Sequence, residues 1–411
     1  MSYSRVGIVG LGYVGLSLVK SLCAKGIQVI GLDIDKTRVL DLQNSISPNE
    51  SISNEELQRY ISSGTLRVTT DPKSLKEISA VIIAVPTPLD DRNQPDYRPL
   101  QKACEIIAAS LKDDVLLINE STSHPGTLRD FIAPLISQLR EDSAKSIKFA
   151  CSPERVNPGD PTFDHSNTPR VVSGLDEEAK RGVKDFYAEF AEEVFLASTP
   201  EVAEMSKLLE NSFRLINISF INEISDYCLN RGIPIREVIA AASTKPFGFM
   251  AFYPGPGIGG HCIPVDPAYL LKDALSHGSQ LPILQTSLDR NTSRHEVLIE
   301  YLERELGGLS GKKILLEGVT YKPNVTDTRE TPSKSLFDGL LSAGAKIAWH
   351  DPLVPDWNNF KPSKVSSEFW DATLLLVKHN ETAVSELLEN SKVVYDFTGQ
   401  LPSSGGRVRP I

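Results

Sequence analysis

One cysteine stands in a stretch made almost wholly of glycine, proline and small apolar residues: "PGPGIGGHCIPVDP", residues 254–267, with Cys262 four positions before Asp266. Glycine lets the backbone approach a ligand closely, and proline fixes φ and lowers the entropy lost on ordering. The loop is expected to hold one shape with little side-chain cover. A thiol there is a candidate nucleophile. The other reading is an inert structural cysteine in a surface loop. A second group lies in "EMSKLLENSFRLINISFINE", where Lys207, Asn211 and Arg214 fall at i, i+4 and i+7 and so share one helix face. Leu208, Leu209, Phe213, Ile216 and Phe220 lie on the other faces. A solvated polar stripe has the same look, but a cation beside a neutral amide is also what a developing oxyanion needs.

A third group is a phosphate cradle. "VGIVGLGYVGLSLVKSL" holds GxGxxG as Gly10, Gly12 and Gly15, with Tyr13 and Val14 between the last two. The motif follows a strand and opens a helix, and the next strand ends in Asp33, 18 residues after Gly15. Gly10 suits the tight turn, Gly12 the approach of backbone to a pyrophosphate, and Gly15 close helix–strand packing. The helix N-terminus then faces the phosphates. An acid at 33 accepts from a ribose 2′-OH, which favours NAD, while Arg38 is close enough to leave some use of NADP open. Near the other end, "GVTYKPNVTDTRETPS" carries Lys322 and Arg329 beyond a strand, where both suit phosphate oxygens or simply a solvated loop.

These groups need elements to position them. Over the first 200 residues, short β-branched runs ("RVGIVG", "QVIGLD", "LRVTT", "AVIIAVP", "DVLLINEST", "IKFACSPE") alternate with helical stretches, which predicts βαβ units and a parallel sheet that "RVVSG" and "EVFLAS" extend. From Pro200 a long helix runs to Gly232, starting after Thr199-Pro200, a good cap and first turn. The centre reads as helical, including roughly residues 267–306. Strand-helix rhythm returns near Gly311 with "KKILLEGVTY", "AKIAWHDP", "ATLLLV" and "KVVYDF", without a second GxGxxG. The expected fold is α/β: a cofactor domain over 1–199, a helical domain over 200–306 that carries the polar helix and the cysteine loop, and a second α/β domain over 307–411.

Bulk properties bound the function. A chain of 411 residues is long for a single core. The net charge of −10, with no basic run, argues against nucleic acid. No apolar run reaches the length of a membrane span, and the N-terminus lacks the features of a secretory signal. Cys23, Cys104, Cys151, Cys228 and Cys262 are widely spaced with no CxxC. That points to a reducing, cytoplasmic setting and to neither a disulfide framework nor a metal site.

Taken in order, "GLGYVGL", "AVPTPLD", "ESTSHPGT", "SPERVNPGD", "AEMSKLLENSFRLINISFINE", "KPFGFMAFYPGPGIGGHCIPVDP" and "YKPNVTDTRETPS" resemble the UDP-glucose/GDP-mannose dehydrogenase family over nearly the whole chain. The resemblance implies two Rossmann-like domains bridged by helices, a homodimer or larger homo-oligomer around the long helix, and oxidation of the C6 alcohol of a nucleotide sugar to a carboxylate with two NAD. It gives Cys262 the role of nucleophile and Lys207 and Asn211 that of stabilising oxyanions. Asp266 would assist water or proton transfer, and Thr122 and Glu154 would stand at the reacting end. It also implies NAD contacts from the glycine loop, Asp33, Arg38, Thr87, Ser121 or Thr122, and Arg329. Nucleotide-sugar contacts would come from Glu154, Arg155, Val156, Lys207, Asn211, Arg214, Lys245, Phe247, Gly259, Tyr321 and Lys322.

"SPERVNPGD" and "TKPFGFMAFYPGPG" look like the branch acting on UDP-N-acetylhexosamines, with UDP-GlcNAc favoured over UDP-ManNAc and UDP-glucose. Three stretches depart from the family pattern: Ser17 where proline is usual, "SLDRNTSRHEV", and "DFTG" at the end of the last strand. Two other readings compete. One is a two-electron β-hydroxyacid-type dehydrogenase, with Lys207 as acid/base and Cys262 structural. The other is a non-catalytic binding protein, against which the presence of both Cys262 and Lys207 speaks.

Overall fold

The computed structural model describes residues 3–90, 92, 94–112, 114–140, 146–156, 165, 167–260, 263–402 and 406–411. It divides into two compact units: Met1–Glu210 with Ala268–Gly278, and Asn211–Pro267 with Ser279–Ile411.

The first unit holds an eight-stranded sheet in the order β3-β2-β1-β4-β5-β6-β7-β8. Its strands are β1 Arg5–Val9, β2 Gln28–Leu32, β3 Leu66–Thr69, β4 Ala80–Ile83, β5 Leu116–Asn119, β6 Lys148–Cys151, β7 Arg170–Gly174 and β8 Val194–Leu196. Alternation along the strands feeds two cores. Val6, Ile8 and Ile82 join one cluster, while Val9, Val81 and Ile83 join the other. A sheet buried on both faces needs near-continuous apolar strands, which is why these runs read as they do. The pairs from β3 to β6 are parallel, as expected, but β7 runs antiparallel to β6. An antiparallel neighbour needs no crossover helix, and none of the described residues between Cys151 and Arg170 is helical.

The second unit holds a five-stranded parallel sheet in the order β10-β9-β11-β12-β13. The strands are β9 Lys313–Glu317, β10 Lys346–His350, β11 Ala372–Leu375, β12 Val394–Asp396 and β13 Val408–Pro410. β13 lies in "RVRPI", too short a run to announce itself. The core gathers Leu316, Leu336, Phe337, Trp349, Leu374 and Tyr395. The helical stretch near 267–306 is three helices, Asp266–Ser276, Pro282–Thr292 and Arg294–Leu306, broken near Gly278 and at Ser293.

The long helix runs from Pro200 to Arg231, 32 residues, or about 48 Å at the standard rise. Leu208 is buried on it, whereas Leu209, Phe213 and Phe220 are exposed. Among the described residues, no helix is long and apolar enough to cross a membrane.

Candidate active site

The glycine motif of the first unit behaves as its chemistry requires. Gly10 has φ +98°, and a Cβ there would lie 2.4 Å from the Ala84 carbonyl oxygen. A Cβ on Gly15 would lie 1.9 Å from the Gly10 carbonyl oxygen, yet one on Gly12 would meet nothing within 4 Å. The outer glycines are demanded by packing, and the middle one leaves open space. Gly12 also precedes helix Tyr13–Ala24, which has no side-chain cap and no acid in its first turn. Tyr13 and Val14 sit half-buried in that turn. Uncapped N–H groups at such an end suit a pyrophosphate.

Asp33 closes the other side of this cradle at the end of β2. It is buried, and its Oδ2 accepts from Leu11 N at 2.8 Å and from Arg38 Nη1 at 3.2 Å, while Oδ1 accepts from Asp35 N at 2.9 Å. Thr87 is buried beyond β4. The Ser121 hydroxyl accepts from Val85 N and donates to Val85 O, each at 2.9 Å, tying the ends of β4 and β5 together. The residues present therefore fit a dinucleotide.

Beside the β5 end, the long helix delivers a buried lysine. Lys207 Nζ donates to Thr122 Oγ1 at 2.6 Å. The backbone nearby is held by the same helix, since Glu204 accepts from Gly126 N at 2.7 Å and from Leu128 N at 3.0 Å. Burial pushes Glu204 up to about 8 despite these two donors. Glu154 is buried as well and accepts from Val156 N at 2.6 Å. Burial alone would raise it, but His165, Arg170, the Val156 N–H and Lys207 hold it down at about 2. Arg155 is engaged by Glu210 at 2.8 Å and by the Pro169 carbonyl at 2.9 Å.

Behind Glu154 lies a cluster that reading the sequence missed. Arg170 is fully buried and bridges two acids, with Nη2 to Glu120 Oε1 at 2.5 Å and Nη1 to Glu154 Oε2 at 3.3 Å. The Tyr187 hydroxyl donates to Glu120, and its ring lies 4.6 Å beneath the Arg170 guanidinium. Burial pushes Glu120 up to about 7. The available signal was a lone carboxylate ending the apolar run "LLINE" and a lone arginine opening "RVVSG".

In the second unit, Asn211 Nδ2 donates to Asp266 Oδ2 at 2.6 Å, and Asp266 is buried in the first turn of its helix. The bareness of the glycine-proline loop now has a cause. A Cβ on Gly259 would lie 2.6 Å from the Glu330 carbonyl oxygen, and one on Gly260 would lie 2.8 Å from the Tyr321 ring. Gly260 N donates to the Arg329 carbonyl at 3.2 Å. Asn291 and Asn222 hold the loop from its other side through Ile258 N at 2.7 Å and Gly255 N at 2.9 Å. The Arg329 side chain pairs with Asp327 at 2.6 Å, and Lys322 Nζ lies 5.6 Å from the Tyr321 ring centroid. Arg214 is exposed, as is Lys245, whose Nζ lies 4.9 Å over the ring of the exposed Phe247. Cys262 lies outside the described residues.

Three models of the UDP-glucose/GDP-mannose dehydrogenase family match: the NAD binding domain over residues 4–191, the central domain over 201–293 and the UDP binding domain over 315–402. The chain is 30% identical to a UDP-N-acetyl-D-glucosamine 6-dehydrogenase of Salmonella typhi, over 98% of each chain. It is 32% identical to a UDP-N-acetyl-D-mannosamine dehydrogenase of Methanocaldococcus jannaschii, over 92% of this chain and 86% of the other. A solved UDP-D-ManNAc dehydrogenase from Pyrococcus horikoshii superposes with a TM-score of 0.88 at 28% identity, covering 99% of both chains.

Proposed function

The chain belongs to the UDP-glucose/GDP-mannose dehydrogenase family and is an NAD-dependent nucleotide-sugar dehydrogenase; from that premise we propose that it oxidises the C6 alcohol of a UDP-N-acetylhexosamine to the uronic acid, with UDP-GlcNAc as the favoured substrate. The observation that carries the reading is the hydrogen bond at 2.6 Å from the buried Lys207 to Thr122, on the helix that one turn later presents Asn211 to Asp266. UDP-ManNAc is the second reading, because a relative of similar identity carries that name and the two sugars differ only in configuration at C2.

Bound NAD, held by the Gly10–Gly15 cradle and Asp33, supplies the hydride acceptor for each of two oxidations. Loss of hydride to that acceptor and of the hydroxyl proton to solvent turns the alcohol into an aldehyde. The Cys262 thiolate then adds to the aldehyde carbon and forms a thiohemiacetal. Lys207 and Asn211 donate to the oxygen that gains charge in this step. A second hydride loss leaves a thioester, and water cleaves its C–S bond, releasing the acid and the thiolate. Asp266 assists the water and takes its proton, and Glu154, held ionised at neutral pH, stands at the reacting end as a fixed charge. Lys207 and Asn211 keep fixed places because Thr122 and Asp266 hold them before substrate arrives.

Cys262 suits the nucleophile's role partly because the other thiols do not. Cys23, Cys104, Cys151 and Cys228 are buried and free. Burial pushes Cys23 and Cys104 up to about 12, and Cys151 upward as well. A buried thiol of raised pKa is a poor nucleophile.

The domain division follows the same reading: residues 1–199 take NAD, 200–306 carry the reacting groups, and 307–411 take the UDP moiety. Leu209, Phe213, Phe220 and Tyr227 leave an exposed apolar stripe on the long helix, which a second copy of the chain would cover. The test of the reaction is Cys262→Ala. NAD binding should survive while acid formation disappears, and undiminished acid would remove the thioester route.

A further inference from the structure

The carboxyl edge of a parallel sheet is where α/β folds take ligands. In the second unit that edge is formed by the turns after β9, β11 and β12. Tyr321 and Lys322 follow β9, and the glycine loop presses on Tyr321. Two strand spacings away, about 10 Å, Phe397–Gly399 follow β12. The buried Asp396 shapes that turn. Its Oδ1 accepts from Thr398 N, Thr398 Oγ1 and Gly399 N at 2.7–3.0 Å, and its Oδ2 accepts from Leu401 N at 2.9 Å.

A guanidinium lies against this turn. Arg236, in the first turn of helix Ile235–Ser243, donates from Nη2 to the Phe397 carbonyl at 3.0 Å. Its guanidinium carbon lies 5.6 Å from the centroid of the Tyr253 ring, just ahead of the glycine-proline loop. Gly399 has φ +63°, which suits glycine, and a Cβ there would fall 2.0 Å from that carbon, so the bare residue also leaves the room in which the cation sits. Among the described residues no carboxylate forms an ion pair with Arg236, and the oxygens of Asp396 are turned to its own loop. Arg236 is half-buried, and burial lowers its pKa, with Asp396 and Tyr253 acting the other way. A cation partly withdrawn from water gains most from a negative group in direct contact, and Asp396 acts on Arg236 only from within its own turn, which leaves that contact for a ligand. Arginine is the cation best suited to phosphate oxygens.

We propose that Arg236 is a further substrate-binding residue, whose guanidinium receives a phosphate oxygen of the nucleoside diphosphate at the carboxyl edge of the second sheet. The inference rests on the reading of this unit as the one that takes UDP. It accounts for the room left beside Gly399 and for the Tyr253 ring near the cation.

The test is calorimetric binding of UDP, of uridine and of NAD to the wild type, Arg236→Gln and Arg236→Lys. We expect Arg236→Gln to weaken UDP by roughly tenfold or more, the scale of one charge-assisted hydrogen bond. Uridine and NAD binding should stay as in the wild type, and Arg236→Lys should recover part of the loss. Equal UDP affinity in Arg236→Gln would overturn the assignment. So would an equal fall for UDP and uridine, because that would mark Arg236 as a support for the turn only. A wild type that binds no UDP would instead sink the reading of the whole unit.

Discussion

Lys207 and Thr122 stand 85 residues apart in the chain and 2.6 Å apart in the fold. One turn earlier on the same helix, Glu204 grips the N–H groups of Gly126 and Leu128. The helix therefore fixes both ends of the 122–128 segment while it buries the lysine. Lys207→Ala should lower kcat by on the order of 100-fold or more, the usual effect of losing one oxyanion donor, and NAD affinity should change little. Steady-state kinetics with a near-normal kcat would return this helix face to structure alone.

Gly12 and Gly15 of the cofactor loop should separate by experiment. Gly15→Ala puts a methyl group against backbone, so the melting temperature should fall and NAD binding with it. Gly12→Ala meets open space in the protein and should melt like the wild type, yet bind NAD far more weakly because its methyl group faces the pyrophosphate. Thermal melts beside NAD titrations check both, and a Gly12→Ala variant of full NAD affinity would contradict the cradle.

Asp266 Oδ2 accepts a short hydrogen bond from Asn211 Nδ2, at 2.6 Å. Asp266→Ala frees the amide to turn, so kcat should fall by roughly tenfold or more while KM for the sugar nucleotide moves less. Asn211→Ala combined with Asp266→Ala should be little worse than the poorer single variant. Fully additive losses would mean that the two act separately.

Glu204 gives a pH dependence of stability. Its folded-state pKa is raised by burial to about 8, above the ordinary carboxylate value of about 4.3. The protonated form therefore favours the fold. That contribution is whole below about pH 4 and is lost as pH rises through about 8. The melting temperature of the wild type should decline from pH 6 to pH 9, and Glu204→Gln, which carries no titrating proton, should decline less steeply. Identical slopes would show that Glu204 is ionised throughout, held by its two backbone donors.

The sequence made some of this legible and concealed the rest for physical reasons. The Gly10–Gly15 turn and Asp33 are local and chemically specific, so motif and context sufficed. The resemblance singled out Lys207 and Thr122 separately, but their hydrogen bond was not legible, because nothing local links residues 85 apart. Arg170, Glu120 and Tyr187 escaped notice because a buried charge looks like any surface charge until its partner is folded onto it. The reversed direction of β7 escaped too, since an apolar strand reads the same in either sense. The bare glycines at 259 and 260 announced close approach, but not that Tyr321 and Glu330 would be the neighbours.

The most direct test is the number of NADH formed per UDP-sugar consumed, measured separately with UDP-GlcNAc, UDP-ManNAc and UDP-glucose. The account predicts two NADH per sugar, with UDP-GlcNAc the best substrate. One NADH per sugar, with an aldehyde or ketone accumulating, would contradict the four-electron mechanism and return Cys262 to a structural role.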